Sequence, residues 1–205
     1  MKKATIIVSY WLTAILMTAL LLATVSCTRL RTGDLLFVNA PADAGQMEGA
    51  IIAATGNIVH VAILEKDADG KIWVIDATPE RGVDRHPLDT LKAGFPEAEG
   101  YTYLYARPEG ASKQCVEQAK RFLGQPYDQA FLPDNGAMYC SELVRDSYRR
   151  PDGTYLFSDK PMNFRDADGT FPQWWVDHFA ALGMPIPQDT PGTNPQDMYA
   201  ECRKR

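Results

Sequence analysis

Cys140 is the residue of this sequence best placed for covalent chemistry. It lies in segment 136–144 (GAMYCSELV), where a helix is predicted to begin near Cys140 and to run to about Arg149. The free N–H groups and the positive dipole end of a helix N-terminus favour a thiolate over a thiol, and a thiolate is a nucleophile. Most lone cysteines are small buried apolar residues, so a structural role for Cys140 stays open on this local evidence.

Two strand residues are candidates for the other parts of a thiol-based site. His60 lies in segment 58–63 (IVHVAI), and Asp76 lies in segment 73–77 (WVIDA), on the neighbouring strand of a predicted hairpin. An imidazole can act as general base toward a thiol, and a carboxylate beside its far nitrogen fixes the tautomer. A carboxylate inside an apolar strand requires a partner, and His60 is one candidate. The hairpin register decides whether the two share a face, and the sequence leaves it open.

The remaining histidines and cysteines are weaker candidates. His86 precedes a proline at a strand end and His178 lies in a tryptophan-rich segment, so both are expected to be exposed or to serve in packing. Cys115 is by default a buried structural thiol. A disulfide between Cys115 and Cys202 is an alternative if the domain works outside the cytoplasm.

The elements that must hold these residues alternate short strands with short helices. Strands are predicted at 35–38, 58–64, 72–77, 82–86 and 101–107, and helices at 43–54, 112–123, 140–149 and within 171–182. Residues 67–70 (DADG) form a good hairpin connection between the second and third strands. The last part of the chain is predicted to be a wrapping tail. The fold class is therefore α+β, with helices packed on one mainly antiparallel sheet.

Length and composition fit one globular domain and disfavour several functional classes. The chain has 205 residues, of which 45% are hydrophobic and 23% charged, close to the globular average. Its formal net charge of −5 argues against nucleic acid as the main partner. The cysteines and histidines show no metal-ligand spacing, and no phosphate loop or nucleotide fingerprint occurs. Chemistry without a metal or cofactor is the simplest expectation.

Residues 1–27 are predicted to be an export signal. Lys2 and Lys3 precede an uncharged, apolar run over 6–25, as in secretory signals. A permanent membrane helix is the alternative, since about 20 apolar residues can span a bilayer. Cys27 follows ATVS, which resembles the lipobox of bacterial lipoproteins, whose cysteine is lipidated and becomes the first residue. We expect residues 28–205 to form one domain in the cell envelope, anchored to a membrane by lipid at Cys27, or secreted without it.

Five segments occur in an order that resembles a known enzyme family. They are GDLLF (33–37), HVAI (60–63), VIDA (74–77), GQPYD (124–128) and YCSELV (139–144). Together they are similar to the permuted papain-like cysteine hydrolases of the NlpC type, in the YiiX/YebB-like branch, over about residues 33–200. In the unpermuted family the cysteine helix precedes the histidine strand, whereas here His60 and Asp76 precede Cys140. The resemblance therefore implies a circularly permuted papain-like fold with a sheet or half-barrel.

The resemblance also implies a role for each site residue. Cys140 would be the nucleophile, His60 the base, and Asp76 the third polar residue, a position for which Glu65 is a rival expected to be solvated. Tyr127 matches a family tyrosine whose hydroxyl could contact the substrate or the oxyanion. A packed turn residue is an equally good interpretation of Tyr127.

The expected reaction is hydrolysis of an amide through a thioester acyl-enzyme. The amide would belong to a small peptide, for example one derived from peptidoglycan, or to another amino-acid amide. A first alternative is a thiol-dependent lipid acyltransferase or esterase, with an apolar groove lined by Tyr101, Tyr103, Trp174 and Trp175. A second is a ligand-binding lipoprotein without catalytic activity.

Overall fold

A five-stranded antiparallel sheet carries the candidate site residues. The computed structural model describes residues 30–203, so the predicted export signal and Cys27 lie outside the described residues. The strands are β1 (Leu35–Asn39), β2 (Ile58–Lys66), β3 (Ile72–Thr78), β4 (Gly82–Pro87) and β5 (Thr102–Ala106). They lie in the order β4-β3-β2-β1-β5, and each neighbouring pair is antiparallel. The predicted α+β class with a mainly antiparallel sheet is confirmed.

Six helices and a small two-stranded ladder complete the described part of the chain. The helices are α1 (Gln46–Thr55), α2 (Leu88–Gly94), α3 (Lys113–Ala119), α4 (Cys140–Ser147), α5 (Gln173–Ala181) and α6 (Pro195–Arg203). The ladder pairs β6 (Lys160–Pro161) with β7 (Pro191–Gly192). Helix α4 packs on β2 and β3, α3 packs on α4, and α6 packs on β2 and β5. Within residues 30–203, no helix is both long and apolar enough to cross a membrane.

Alternating strand residues build the core that these helices cover. The strands contribute Leu35, Phe37, Val61, Ile63, Ile75 and Ala77, and the helices contribute Val116, Leu143, Val144 and Met198. Side chains alternate between the two faces of a strand, so this set lies on one face. The burial of these apolar side chains is the main force that holds α4, and therefore Cys140, against the sheet.

The ends of several predicted elements differ from those in the structure. The first helix begins at Gln46 instead of residue 43, because residues 41–45 form a turn in which the Ala44 N–H donates to the Pro41 carbonyl (3.2 Å). The helix predicted over 112–123 ends at Ala119 and continues as a single 3₁₀ turn, Lys120–Phe122. Helix α2 was not predicted, because seven residues are too few to show a helical period.

The tail is more regular than predicted. It contains helix α6, and the Tyr199 ring meets the Phe37 ring edge-on, with 5.1 Å between the ring centroids. The C-terminal segment is therefore part of the core.

The turn between β3 and β4 connects the sheet to the segment that leads to α4. The Val83 N–H donates to the Gln125 carbonyl, and the Gly124 N–H donates to the Val83 carbonyl, both at 2.9 Å. Gly82 has a left-handed φ of 65°, and a Cβ added there would overlap the Gln125 carbonyl. Only glycine fits this close approach, which sets where the loop before Cys140 begins.

Replacing Gly82 by alanine is expected to lower the free energy of unfolding by roughly 2–4 kcal/mol, because the new Cβ meets both backbone strain and a hard overlap. The control is Gly49→Ala in α1, where an added Cβ meets nothing within 4 Å. That variant should gain about 0.5–1 kcal/mol. Urea unfolding of both proteins measures the difference. Equal stability of Gly82→Ala and the unchanged protein would contradict the close approach.

Candidate active site

The strand register places His60 and Asp76 on the same face of the sheet. Ile63 of β2 pairs with Ile75 of β3, and side chains alternate along each strand, so His60 and Asp76 both project from the opposite face to that pair. His60 Nε2 lies 2.9 Å from Asp76 Oδ2, and both side chains are buried. His60 is therefore one partner of Asp76, and the register that the sequence left open places the two side chains on one face.

His86 bonds the second oxygen of the same carboxylate. Val74 of β3 pairs with His86 of β4, which puts His86 on the face of Asp76. His86 Nε2 lies 2.9 Å from Asp76 Oδ1, and His86 is 5% exposed. The prediction that His86 is exposed or serves only in packing is wrong. Two features of the sequence could have indicated this contact. In a predicted β3–β4 hairpin, strand alternation allows His86 to lie on the same face as Asp76, and a buried carboxylate has two oxygens that need more than one donor.

The electrostatics of this cluster separate charge between Asp76 and the two imidazoles. Burial acts to raise the pKa of Asp76, but hydrogen bonds from His60 and His86 hold that pKa well below its usual range. Burial acts to lower the pKa of His60, but Asp76 and the Cys140 side chain outweigh it and raise the pKa to about 10. The pKa of His86 is also raised, because its bond to Asp76 outweighs burial. At neutral pH the cluster therefore contains a carboxylate and the His60 imidazolium, and the raised pKa of His86 favours the protonated form of that ring as well.

Helix α4 brings Cys140 to this cluster. Tyr139 is the N-cap residue, and the helical ladder begins with the Leu143 N–H donating to the Tyr139 carbonyl (3.0 Å). The N–H groups of the first turn, including that of Cys140, have no partner within the helix. Cys140 is 8% exposed and lines the same cleft as His60. Since His60 Nε2 faces Asp76, Nδ1 is the ring nitrogen left for the thiol.

The cleft at Cys140 is small and mostly apolar. Its volume is about 370 Å³, and Phe95 from the end of α2 stacks on the His60 ring, with 5.2 Å between the ring centroids and 27° between the planes. The apolar lining includes Met47, Ile51, Leu91, Phe95, Tyr127, Phe131, Met162, Phe164 and Trp175, and the charged side chains are Glu48, Glu80 and Arg81. A cleft of this size suits a small ligand.

Tyr127 lines the cleft with Cys140. A single backbone bridge joins Tyr127 to Met138, and the Tyr127 ring meets the Phe131 ring edge-on, with 6.2 Å between the ring centroids. Burial and the neighbouring Cys140 raise the pKa of the Tyr127 hydroxyl well above its ordinary value. Tyr127 is thus a neutral phenol that faces the cleft. It also packs against an aromatic cluster, which consists of Phe131, Tyr139, Phe164, Trp175 and Phe179.

A buried carboxylate, Asp128, organises the loop between Tyr127 and Cys140. It accepts hydrogen bonds from Ala130 N (2.8 Å), Leu132 N (2.8 Å) and Asn135 Nδ2 (2.9 Å). The loop directs Phe131 into the aromatic cluster although Phe131 has a positive φ of 53°. Asp128 belongs to the GQPYD segment, but its bonds involve residues up to seven positions away, and the sequence alone did not reveal them.

Glu142 is close to Cys140 in sequence but does not line the cleft. It is 4% exposed, and its carboxylate lies 3.8 Å from the Arg145 guanidinium. Burial and the neighbouring Asp128 outweigh Arg145 and raise the pKa of Glu142 to about 8. The structure therefore keeps this carboxyl group mostly neutral beneath the first turn of α4.

Glu65 lies outside the site. It forms ion pairs with Arg85 and Lys120, each at 2.6 Å, and its side chain is 13% exposed. The prediction that it is solvated is wrong. Its two cations make it a cross-link between strand β2, strand β4 and the 3₁₀ turn after α3, so Asp76 is the carboxylate that meets His60.

The other predicted residues are accounted for away from Cys140. Cys115 and Cys202 are free thiols that line a separate depression of about 1390 Å³, so the possible disulfide is not formed. His178 stacks on Trp174, with 4.8 Å between the ring centroids, and so serves in packing. Of the four aromatic residues suggested for an apolar groove, Trp175 lines the cleft.

Two proteins similar to this chain carry the same name, YiiX. The first has a solved structure, described as the crystal structure of metalloprotein yiiX from Escherichia coli O157:H7. It superposes on this chain with a TM-score of 0.66 and is 26% identical, and the match covers 83% of this chain and 92% of that chain. The second, the uncharacterized protein YiiX of Escherichia coli (strain K12), is 27% identical over 114 residues. That match covers 53% of this chain and 55% of the relative, so the chain spans about half the length of the curated relative.

The solved neighbour is described as a metalloprotein, so the metal-binding capacity of the side chains around Cys140 is of interest. Within residues 30–203, no group of three or more His, Cys, Asp or Glu side chains is placed to hold a metal ion. His60 Nε2 and His86 Nε2 both point at Asp76 rather than at a common centre. The described side chains around Cys140 therefore do not fit a metal site.

The chain order of the site agrees with a rearranged papain-like core. The histidine strand and the carboxylate strand come first, and the cysteine helix follows. The family model for the permuted papain-like amidase enzymes, YaeF/YiiX, C92 family, matches residues 29–203, which include all of the described residues. The chain belongs to this family of permuted papain-like amidases.

Proposed function

We propose that the protein hydrolyses an amide bond with Cys140 as nucleophile, His60 as acid and base, and Asp76 as the residue that orients His60. The observation that carries the proposal is the connected series thiol, imidazole and carboxylate, in which His60 Nε2 lies 2.9 Å from Asp76 Oδ2 and Cys140 shares a cleft with His60. The protonated His60 and the N-terminus of α4 both stabilise negative charge on the sulfur.

The first half of the reaction would form a thioester. The Cys140 thiolate attacks the amide carbon, and the developing oxyanion accepts a hydrogen bond from the Cys140 backbone N–H at the start of α4. Tyr127 is a second donor candidate, because its neutral hydroxyl belongs to the same cleft. The His60 imidazolium gives its Nδ1 proton to the leaving nitrogen, the C–N bond breaks and the amine departs.

The second half of the reaction would release the acid. Neutral His60 takes a proton from water, the hydroxyl oxygen attacks the thioester carbon, and the C–S bond breaks to restore the thiolate–imidazolium pair. Asp76 holds the imidazole by Nε2 throughout, which keeps Nδ1 directed at the reacting groups. No oxidant or metal is needed for these steps to balance.

The proposed substrate is a small peptide or amino-acid amide, including peptidoglycan fragments. The cleft of about 370 Å³ supports a small ligand, and its charged side chains Glu48, Glu80 and Arg81 offer contacts for the ends of a peptide. The proposed place of action is the cell envelope, with a lipid anchor at Cys27. This location is supported by the basic start, the apolar run and the lipobox-like segment of residues 1–27.

A second candidate function is favoured by the apolar lining of the cleft. The same thiol could accept an acyl group from a lipid ester, because aromatic and methionine side chains predominate around Cys140. Incubation of the protein with peptidoglycan fragments and, separately, with phospholipid vesicles distinguishes the two. Mass spectrometry of the products shows which bond is broken.

Replacing Cys140 by alanine is expected to lower turnover of the accepted substrate by about a thousandfold or more, because no other group can form the thioester. A thiol-directed activity probe should label the unchanged protein and not the variant. The matched control is Cys115→Ala, which removes a thiol of the separate depression and should keep both labelling and turnover. Equal labelling of the Cys140 variant would rule out Cys140 as nucleophile.

The pH dependence of the reaction should follow His60. Its imidazolium must donate a proton, so kcat/KM is expected to fall as the pH rises through the His60 pKa of about 10. Asp76→Asn removes the bond that raises this pKa, so the alkaline limb should move to lower pH, and turnover should fall by about 10- to 1000-fold. An alkaline limb that stays in place in Asp76→Asn would contradict the role of Asp76.

Lipidation at Cys27 is testable by fractionation of a bacterial expression host. The full-length protein should sediment with membranes and carry a mass increase from acyl chains on the peptide that begins at residue 27, because two or more chains anchor a domain stably. Cys27→Ser should lose the mass increase. A full-length protein without acyl chains would exclude the lipid anchor and leave secretion or a retained helix.

A further inference from the structure

His86 faces one hydrogen-bond acceptor at each of its two ring nitrogens. Its Nδ1 lies 3.1 Å from the Pro87 carbonyl oxygen, and its Nε2 lies 2.9 Å from Asp76 Oδ1. A carbonyl and an ionised carboxylate can only accept, so each ring nitrogen must donate. The contact of Nε2 with Asp76 is shorter than its 3.3 Å contact with Arg81 Nη2, so the geometry favours a proton on both nitrogens, and hence a positive charge, on a histidine that is 5% exposed.

The charged groups around His86 come from three elements. Asp76 of β3 favours the proton on Nε2. Arg81, in the turn between β3 and β4, opposes it, since its Nη2 lies 3.3 Å from His86 Nε2. Asp84 of β4 forms an ion pair with the Arg81 guanidinium, with 3.7 Å between Arg81 Nε and Asp84 Oδ2, which partly offsets the Arg81 charge. Helix α2 packs against β3 and β4 and contributes the buried, apolar Leu91. Asp76 raises the pKa of His86 by more than Arg81 lowers it, because the hydrogen bond of Asp76 to His86 is short and buried.

Asp76 is thereby held by both of its oxygens. Oδ2 bonds His60 and Oδ1 bonds His86, and the Arg81 Nη2 lies 4.0 Å from Oδ1. A carboxylate with a single partner can rotate about its bond to Cβ, whereas a second bond from the opposite strand fixes the plane of the group. The orientation of the His60 ring, and so the direction of its Nδ1 toward Cys140, depends on that plane.

We propose that His86 is a positioning residue for the hydrolytic reaction: its imidazolium fixes Asp76 in the orientation that bonds His60, and its charge favours the Cys140 thiolate. This inference rests on the proposed roles of Cys140 and His60. His86 itself acts through Asp76 and does not line the cleft that holds Cys140.

The charge of His86 is measurable without any substrate. In protein labelled with ¹⁵N-histidine, both ring nitrogens of His86, assigned by comparison with His86→Gln, should report protonation at pH 7.5. Loss of the proton should follow only at higher pH. A His86 ring that is neutral at pH 7.5 overturns the proposal, whatever Cys140 does.

The effect of His86 on Cys140 is measured by the rate of alkylation with iodoacetamide as a function of pH. Peptide mass spectrometry assigns the label to Cys140 rather than to the other cysteines. His86→Gln keeps a donor for Asp76 and removes the charge, so the midpoint of the alkylation profile should rise by about 0.5–1 pH unit. The control is His178→Gln, a histidine bonded to the Gln129 carbonyl outside the Asp76 cluster, which should leave the midpoint unchanged.

The outcomes separate the two proposals. An unreactive Cys140 in the unchanged protein refutes the proposed function, and the positioning role of His86 fails with it. A reactive Cys140 whose midpoint is the same in His86→Leu, which removes both the charge and the donor for Asp76, refutes the positioning role alone. Thermal unfolding shows whether His86→Gln is folded. If it is not, the His86→Asn variant, which is also a neutral donor, takes its place with the same expected rise, and the absence of a rise counts against the proposal.

Discussion

A single buried carboxylate determines the geometry of the site. Asp76 is 1% exposed, so its charge is stable only with close partners, and it has one on each side in the sheet. His60 and His86 bond its two oxygens at 2.9 Å each. An unpaired carboxylate in this position would strongly destabilise the fold. The hydrogen bonds of Asp76 to His60 and His86 therefore link strands β2, β3 and β4 at the place where the chemistry is proposed.

The position of the Cys140 thiol beside this carboxylate cluster is determined by helix packing and not by strand register. Cys140 is the first residue of α4, and the apolar side of α4, with Leu143 and Val144, is buried against the sheet. The loop before the helix is shaped from within by the hydrogen bonds that Asp128 accepts. Helix packing therefore sets the distance of Cys140 from the sheet, and the loop sets the entry of the chain into the helix. The permuted chain order has no effect on this result, because both parts depend on packing and not on which comes first.

The polar side chains of the proposed reaction and the apolar lining that would contact a substrate lie on different sides of Cys140. The polar series lies on the sheet side, whereas the cleft beyond Cys140 is lined by aromatic and aliphatic side chains such as Phe95 and Trp175. In an apolar cleft the electrostatic contacts are stronger than in water, which favours the ion pair of thiolate and imidazolium. The apolar lining is compatible in chemistry with acyl groups as well as with short peptides, and this is why the proposed substrate class must be tested on both.

Much of the site was predictable from short stretches of sequence. The β-branched segments around His60 and Asp76 predicted strands, and the segment around Cys140 predicted a helix start, because both patterns depend on neighbours in the chain. The tertiary structure alone decided that His60 and Asp76 share a face and that His86 is buried against Asp76. Strand register and cross-strand hydrogen bonds join residues far apart in sequence, so their energies leave no local periodicity from which to predict them.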